Sequence, residues 1–224
     1  MPDELKSYWM EMSDAARAMP LDDLRRVAEM LMDAHARDVT IFILGNGGSA
    51  STASHFACDL AKGTQVDGVT PFRVVCLTDN VPLLTAWAND TSYERVFAEQ
   101  LSTLVRRGDL VMLISGSGNS ENVLAAARAA RRARAATIAL TGKTGGRLKE
   151  LVDHAVCVPS PAIDQVEDLH LAIVHSLCRT IREQLRFQHE ASQQSVAPIR
   201  ILPALHLSDE DARADAFIDG GSIK

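Results

Sequence analysis

The sequence predicts an α/β domain built on a doubly wound parallel sheet. Five short apolar runs, at 39–44, 73–77, 110–114, 136–140 and 155–158, recur along the chain. Segments with helical spacing separate them, and a long helical pattern at 163–186 closes the series. Continuous apolar runs mark strands covered on both faces. Their alternation with helices is the signature of a doubly wound fold.

Two helical patterns come first, at 3–18 and 21–37. In the second, Leu21, Leu24, Val27, Ala28 and Leu31 recur at helix spacing, and Asp22 and Asp23 favour its N-terminus. Run 39–44 leads into Gly45-Asn46-Gly47-Gly48-Ser49 and a helix at 49–62. Further helices are expected at 82–88, 94–106, 121–134 and 147–152. The stretch 89–94 reads as a polar turn that caps the helix after it. Beyond residue 186 the chain turns polar, carries Pro198 and Pro203, an apolar patch at 199–207 and then an acidic segment. Residues 1–186 therefore read as one domain and 187–224 as a tail, either disordered or packed on a neighbouring subunit.

Composition narrows the function classes. The 224 residues are 46% apolar and 23% charged, which excludes a disordered or fibrous chain. A net charge of −6 is opposite in sign to that of a nonspecific nucleic-acid binder. No apolar run approaches a membrane span, and the N-terminus (MPDELKSYWMEM) lacks a secretory h-region, so the expected compartment is the cytoplasm. Cys58, Cys76, Cys157 and Cys178 form no CxxC pair and are expected to be buried small hydrophobes.

Ligands of open α/β sheets bind outside the carboxyl ends of strands, at helix N-termini. Two strand ends here carry loops suited to that: the glycine loop 45–49 and the serine loop Ser115-Gly116-Ser117-Gly118-Asn119-Ser120. Small residues let backbone N–H groups approach an anion, and serine hydroxyls add donors. The serine loop suits a phosphate monoester. Taken alone, each loop also fits a tight strand-to-helix turn. Neither is a nucleotide fingerprint: 45–50 lacks a third glycine, and Thr141-Gly142-Lys143-Thr144 has Thr137 where a P-loop has its first glycine.

His55 and Asp59 stand four apart on one helix face, a spacing that suits acid–base work or two metal ligands. On the closing helix Glu167 and His175 are eight apart, and Asp168 and His175 seven apart. His170 points about 140° away from His175, so the two are not expected to share a site. His35, His154, His189 and His206 have no constellation, and Arg128, Arg131, Arg132 and Arg134 read as a solvated helix face.

These pieces together, GNGGSASTASHFACDL (45–60), TAWANDTSYERVF (85–97), ISGSGNSENV (114–123), LTGKTGG (140–146) and VEDLHLAIVH (166–175), resemble the sugar isomerase (SIS) family, and within it the phosphoheptose isomerases. The resemblance spans about residues 20–186. It implies a flavodoxin-like three-layer sandwich with a five-stranded parallel sheet, N-terminal helices that pack on other subunits, and a homotetramer with active sites at subunit interfaces. It implies conversion of sedoheptulose 7-phosphate to D-glycero-D-manno-heptose 7-phosphate, feeding heptose synthesis, with zinc as a metal cofactor. By position, Asn46, Gly47 and Ser49 would hold the sugar, Asp90 would contact it, and Ser115, Ser117 and Ser120 would grip phosphate. Asp59, Glu167 and His175 would be catalytic, and His55, Asp59, Glu167 and His175 would form the metal set. The chain departs from the family where Asp59 replaces a usual Glu, Glu167 a usual Gln and Gly116 a common Thr.

Aldose–ketose isomerisation proceeds through an enediol(ate) and needs a base at carbon and an acid at oxygen. Asp59 (or Glu167) and His175 would move the proton, with His55 and zinc polarising oxygen. Two other classes use the same scaffold: a non-catalytic adaptor similar to the DnaA initiator-associating protein, and a sugar-phosphate sensor. An adaptor needs neither His55 nor His175.

Overall fold

A computed structural model describes residues 3–195. Among them five parallel strands form one sheet in the order β2-β1-β3-β4-β5: β1 (Thr40–Gly45), β2 (Arg73–Cys76), β3 (Leu110–Ser115), β4 (Ala136–Thr141) and β5 (His154–Cys157). This is the flavodoxin-like order, with its topological switch between β1 and β3. Among the described residues seven α-helices accompany them: α1 (Glu4–Arg17), α2 (Leu21–Ala36), α3 (Gly47–Cys58), α4 (Val81–Asp90), α5 (Val96–Leu104), α6 (Glu121–Ala133) and α7 (Ile163–Ser195).

Alternation along the strands divides the core into two layers. Ile41 and Ile43 of β1, with Leu110, Met112 and Ile114 of β3, face α2, α3 and α7. Phe42 and Leu44, with Val111 and Leu113, face α5 and α6. Each fully buried Leu, Ile or Phe contributes on the order of 1.5–3 kcal/mol. Both faces of the central strands are therefore apolar, which is why they read as unbroken runs.

Several boundaries differ from the sequence expectation. The helix expected at 49–62 is α3 followed by a π-helical turn, Asp59–Gly63, in which Thr64 N donates to the Asp59 carbonyl. Helix α4 runs on through Asn89 and Asp90, because the Asn80 side chain caps its start and Thr91 bonds back to Trp87 at its end. The turn expected at 89–94 shortens to Thr91–Ser92. Residues 147–152 hold a single 3₁₀ turn, Leu148–Glu150. Helix α7 continues past 186 to Ser195, so residues 187–195 extend the closing helix. The rest of the expected tail, and His206, lie outside the described residues.

The cysteines also need correction. Cys178 is buried, but Cys76 and Cys157 are half-buried and Cys58 is exposed; all four are free. Cys58 lies on the outer side of α3's last turn, a position that helix periodicity alone could have exposed.

The serine loop is wedged against the loop after β4. Gly142 N donates to the Gly116 carbonyl (2.9 Å), and Leu148 N to the Gly118 carbonyl (2.9 Å). Arg147 N donates to Asn119 Oδ1 (3.1 Å), and Arg147 pairs with Glu121. Gly118 has φ +62, and a Cβ there would stand 2.7 Å from the Gly145 carbonyl carbon. Gly118→Ala combines left-handed strain with a backbone collision. It is expected to cost about 3 kcal/mol, measured as a drop in urea midpoint at unchanged m-value.

His170 is 1% exposed, and its Nε2 lies 3.2 Å from the Thr141 carbonyl. It points into the core, away from His175, as the helical angle requires. Burial lowers its pKa to about 4, only partly opposed by that hydrogen bond. The unfolded chain takes up this proton near pH 6.5, the folded chain only near 4. The stability that depends on the neutral ring is therefore complete above pH 6.5 and is lost as pH falls toward 4, by up to about 3 kcal/mol. His170→Gln is expected to flatten that part of the stability–pH curve.

Candidate active site

The glycine and serine loops end the adjacent strands β1 and β3, at the switch point where the chain leaves the sheet in opposite directions. Gly47, with φ +53, opens α3. Ser49 is buried in the first turn of α3. Asn46 precedes that helix without capping it; its side chain forms a reciprocal amide pair with Asn122, at 2.8 and 2.9 Å. Tyr93 Oη donates to Asn46 Oδ1 (3.0 Å). Asn46 therefore ties the two loops together. Asn122 and Tyr93 were missed by sequence reasoning; Asn122 sits one residue after Glu121 in the first turn of α6, where a buried amide is the available clue.

In the serine loop, Ser115 is buried, and its Oγ accepts from Gly118 N (3.2 Å). Ser117 Oγ accepts from Asn119 N (3.2 Å). Ser120 is the N-cap of α6 but makes no side-chain cap bond; in the first turn Val123 N donates instead to Asn122 Oδ1 (2.9 Å). Asp90, exposed at the end of α4, accepts from Asn89 Nδ2 (2.9 Å).

Helices α3 and α7 run side by side in the same direction, in a constant register. Gly48 faces Glu167, His55 faces His175, and Arg182 Nη1 donates to the Gly63 carbonyl (3.4 Å). The Glu167 carboxylate lies directly on Gly48: a Cβ there would stand 2.6 Å from Glu167 Cδ. That places a negative group at the positive end of α3. His55 stands seven residues further along, about 10 Å at 1.5 Å per residue.

There the two histidines and Asp59 converge. Their Nε2 atoms are 2.9 Å apart, and Asp59 Oδ2 lies 3.3 Å from His55 and 3.8 Å from His175. All three are partly open to solvent; the His175 side chain is 51% exposed. At 2.9 Å two neutral imidazoles must be in opposite roles, one ring Nε2 donating and the other accepting. The π-helical turn begins at Asp59, and such turns often accompany functional sites. Beneath it, burial and then the Asp59 charge push the Cys178 thiol up to about 12, so it takes no part as a thiolate.

Of the proposed metal set, three residues come together and the fourth does not. Among the described residues, His55, Asp59 and His175 are a group whose donor atoms all lie within 4.8 Å of one another. Zinc donors at about 2.0–2.1 Å in tetrahedral array stand roughly 3.3 Å apart, and the three separations here bracket that value. The donor types, two imidazoles and a carboxylate, also suit zinc. Glu167 lies a helix turn or more away, on Gly48. Asp168, aligned with His175 by spacing, instead accepts from Tyr8 of α1. Two further histidines meet backbone carbonyls: His35 Nε2 that of Thr70 (2.7 Å), and His154 Nε2 that of Asp23 (3.1 Å).

Dialysis against zinc followed by metal analysis is expected to show one ion per chain in the wild type. Under the same conditions His55→Ala is expected to retain less than a tenth of it, and Glu167→Gln the wild-type amount. Equal retention by both variants would place zinc elsewhere.

Comparison with known proteins agrees with this architecture. The SIS domain family model matches residues 7–142. The probable phosphoheptose isomerase of Thermoplasma acidophilum is 34% identical over 181 residues, covering 81% of this chain and 99% of that one. The phosphoheptose isomerase of Shewanella denitrificans is 36% identical, with 80% and 91% covered. The solved phosphoheptose isomerase of Neisseria gonorrhoeae superposes with a TM-score of 0.75 at 31% identity, covering 81% of this chain and 98% of that structure. The chain therefore belongs to the SIS domain family, alongside its phosphoheptose isomerases.

Proposed function

We propose that the protein is an aldose–ketose isomerase that converts sedoheptulose 7-phosphate to D-glycero-D-manno-heptose 7-phosphate for heptose biosynthesis. The observation that carries this reading is the convergence of His55, Asp59 and His175 on the helix pair that begins at the glycine loop. The family relatives named phosphoheptose isomerase support the same activity.

The serine loop holds the phosphate, through Ser115, Ser117, Ser120 and the first turn of α6. The open chain then lies over the glycine loop, where Asn46, Gly47 and Ser49 frame it and Asp90 and Glu167 accept from its hydroxyls. Its reacting end then follows α3 from Gly48 to the trio, a rise of about 10 Å. The free Oδ1 of Asp59 takes a proton from C1 of the ketose, leaving the electron pair in an enediolate across C1 and C2. His175 donates to O2 as its C=O is reduced and accepts from O1 as the aldehyde forms. The proton then returns from Asp59 to C2. His55 holds the His175 ring through the Nε2 contact, a hydrogen bond that metal ligation by the same two atoms would replace. Zinc fits this trio, where His55, Asp59 Oδ2 and His175 would hold it, and it would supply Lewis-acid polarisation of the sugar oxygens.

Subunit contacts complete the site in this reading. Trp9 is 70% exposed, and Leu5, Met10 and Leu21 are exposed with it, an apolar surface on the N-terminal helices that a homotetramer would cover. No helix among the described residues is long and apolar enough to cross a membrane, which supports work in the cytoplasm on a soluble sugar phosphate. The presence of His55 and His175 with a carboxylate beside them favours catalysis over the adaptor reading; the sensor reading is separated by turnover.

Sedoheptulose 7-phosphate incubated with the protein in D₂O is expected to give an aldoheptose 7-phosphate deuterated at C2, read by NMR. Asp59→Asn and His175→Ala should each lower kcat about 10²–10⁴-fold while phosphate binding persists. Glu167→Gln should raise KM and leave kcat within a few-fold. Absence of turnover and of exchange by the zinc-loaded wild type would set the isomerase reading aside.

A further inference from the structure

Ile163 is the first residue of α7, and it is 57% exposed. It adds nothing to the buried core, yet it has a defined neighbour. A Cβ placed on Gly116 would overlap Ile163 Cδ1, and would stand 3.7 Å from Ile163 Cγ1 and 3.6 Å from Val166 Cγ1. The side-chain space of position 116, inside the serine loop, is thus filled from α7. On the other side the Gly116 carbonyl is held by Gly142 N (2.9 Å), and a Cβ on Gly142 would stand 2.6 Å from that oxygen. Gly116 is clamped between the β4 loop and the first turn of α7.

The serine loop consequently has two kinds of surface. Ser117, Ser120 and the N-terminus of α6 offer hydrogen-bond donors, while Ile163 offers one exposed apolar side chain seated on the same loop. Inorganic phosphate can use only the donors. A phosphate monoester also carries an ester carbon, which gains from an apolar neighbour beside the anion site.

We propose that Ile163 is a specificity-determining residue: seated in the space left by Gly116, it packs against the ester carbon of the bound substrate and selects sugar phosphates over inorganic phosphate. This rests on the reading that the serine loop holds the phosphate. A contact of roughly 40 Å² at about 25 cal/mol per Å² corresponds to about a five-fold preference. Because Gly116 and Ile163 share one volume, changes at the two positions are coupled. Gly116→Ala displaces Ile163 and mimics its removal.

Calorimetric titration of the full-length protein with inorganic phosphate and with sedoheptulose 7-phosphate, alongside kcat and KM, tests this. Ile163→Ala is expected to weaken the sugar phosphate about five-fold and raise KM equally, with inorganic phosphate affinity and kcat unchanged within two-fold. Gly116→Ala should weaken the sugar phosphate to the same extent, and the double variant should bind it no worse than either single one. Equal weakening of both ligands, no weakening, or additive effects would overturn the proposal, as would a smaller oligomer for Ile163→Ala by light scattering. If the wild type binds neither ligand, the phosphate role of the serine loop fails with it. If the wild type binds both and Ile163→Ala keeps the same preference, only the role of Ile163 fails.

Discussion

The parallel packing of α3 on α7 is the contact on which the site depends. Three pairs, Gly48 with Glu167, His55 with His175 and Gly63 with Arg182, keep a nearly constant offset along α7 and along α3 with its π-helical turn. Helices that run alongside one another in constant register bring side chains of equal height together at every turn. Glycine at 48 leaves room for the Glu167 carboxylate at the helix start; a larger residue there would displace the end of that flexible side chain. Further along the same pair of helices the imidazoles of His55 and His175 meet at 2.9 Å. The π-helical turn at Asp59 adds the third member by turning the chain after α3 while keeping the Asp59 carboxylate on the same side.

The second constraint lies at the switch point. The serine loop has no regular structure of its own, so its shape must be imposed. The loop after β4 supplies that shape through backbone hydrogen bonds at Gly116 and Gly118 and through Arg147 on Asn119. The reciprocal pair Asn46–Asn122 then fixes the serine loop to the glycine loop. The two loops are thereby held in one arrangement at the switch point, and the His55–Asp59–His175 trio stands about 10 Å along α3 from Gly48.

Much of the fold was legible in the sequence because burial on both faces leaves a plain trace. All five strands lie in the apolar runs, and the helices between them differ mainly at their ends. Those ends were misread where a local hydrogen bond decided the boundary: Asn80 lengthened α4, and the π-turn replaced the last turn of α3. Cys58 was expected inside and lies outside, since an apolar neighbourhood in sequence does not say which side of a helix a residue takes. The pair His55–Asp59 was legible as one helix face.

By itself the sequence determined the doubly wound class, the two loops at strand ends, the His55–Asp59 face and, through its resemblance, the family. These rest on periodicity and on short motifs, both of which are local. Only the tertiary structure decided that His175, 120 positions away, meets His55 while Asp168 is drawn to Tyr8 and Glu167 to Gly48. Spacing along α7 aligns Asp168 with His175 better than it aligns Glu167, yet spacing cannot say what stands opposite. The packing of α1 and α3 against two sides of α7 assigns each carboxylate its partner. It leaves one open trio where three donors of different elements converge.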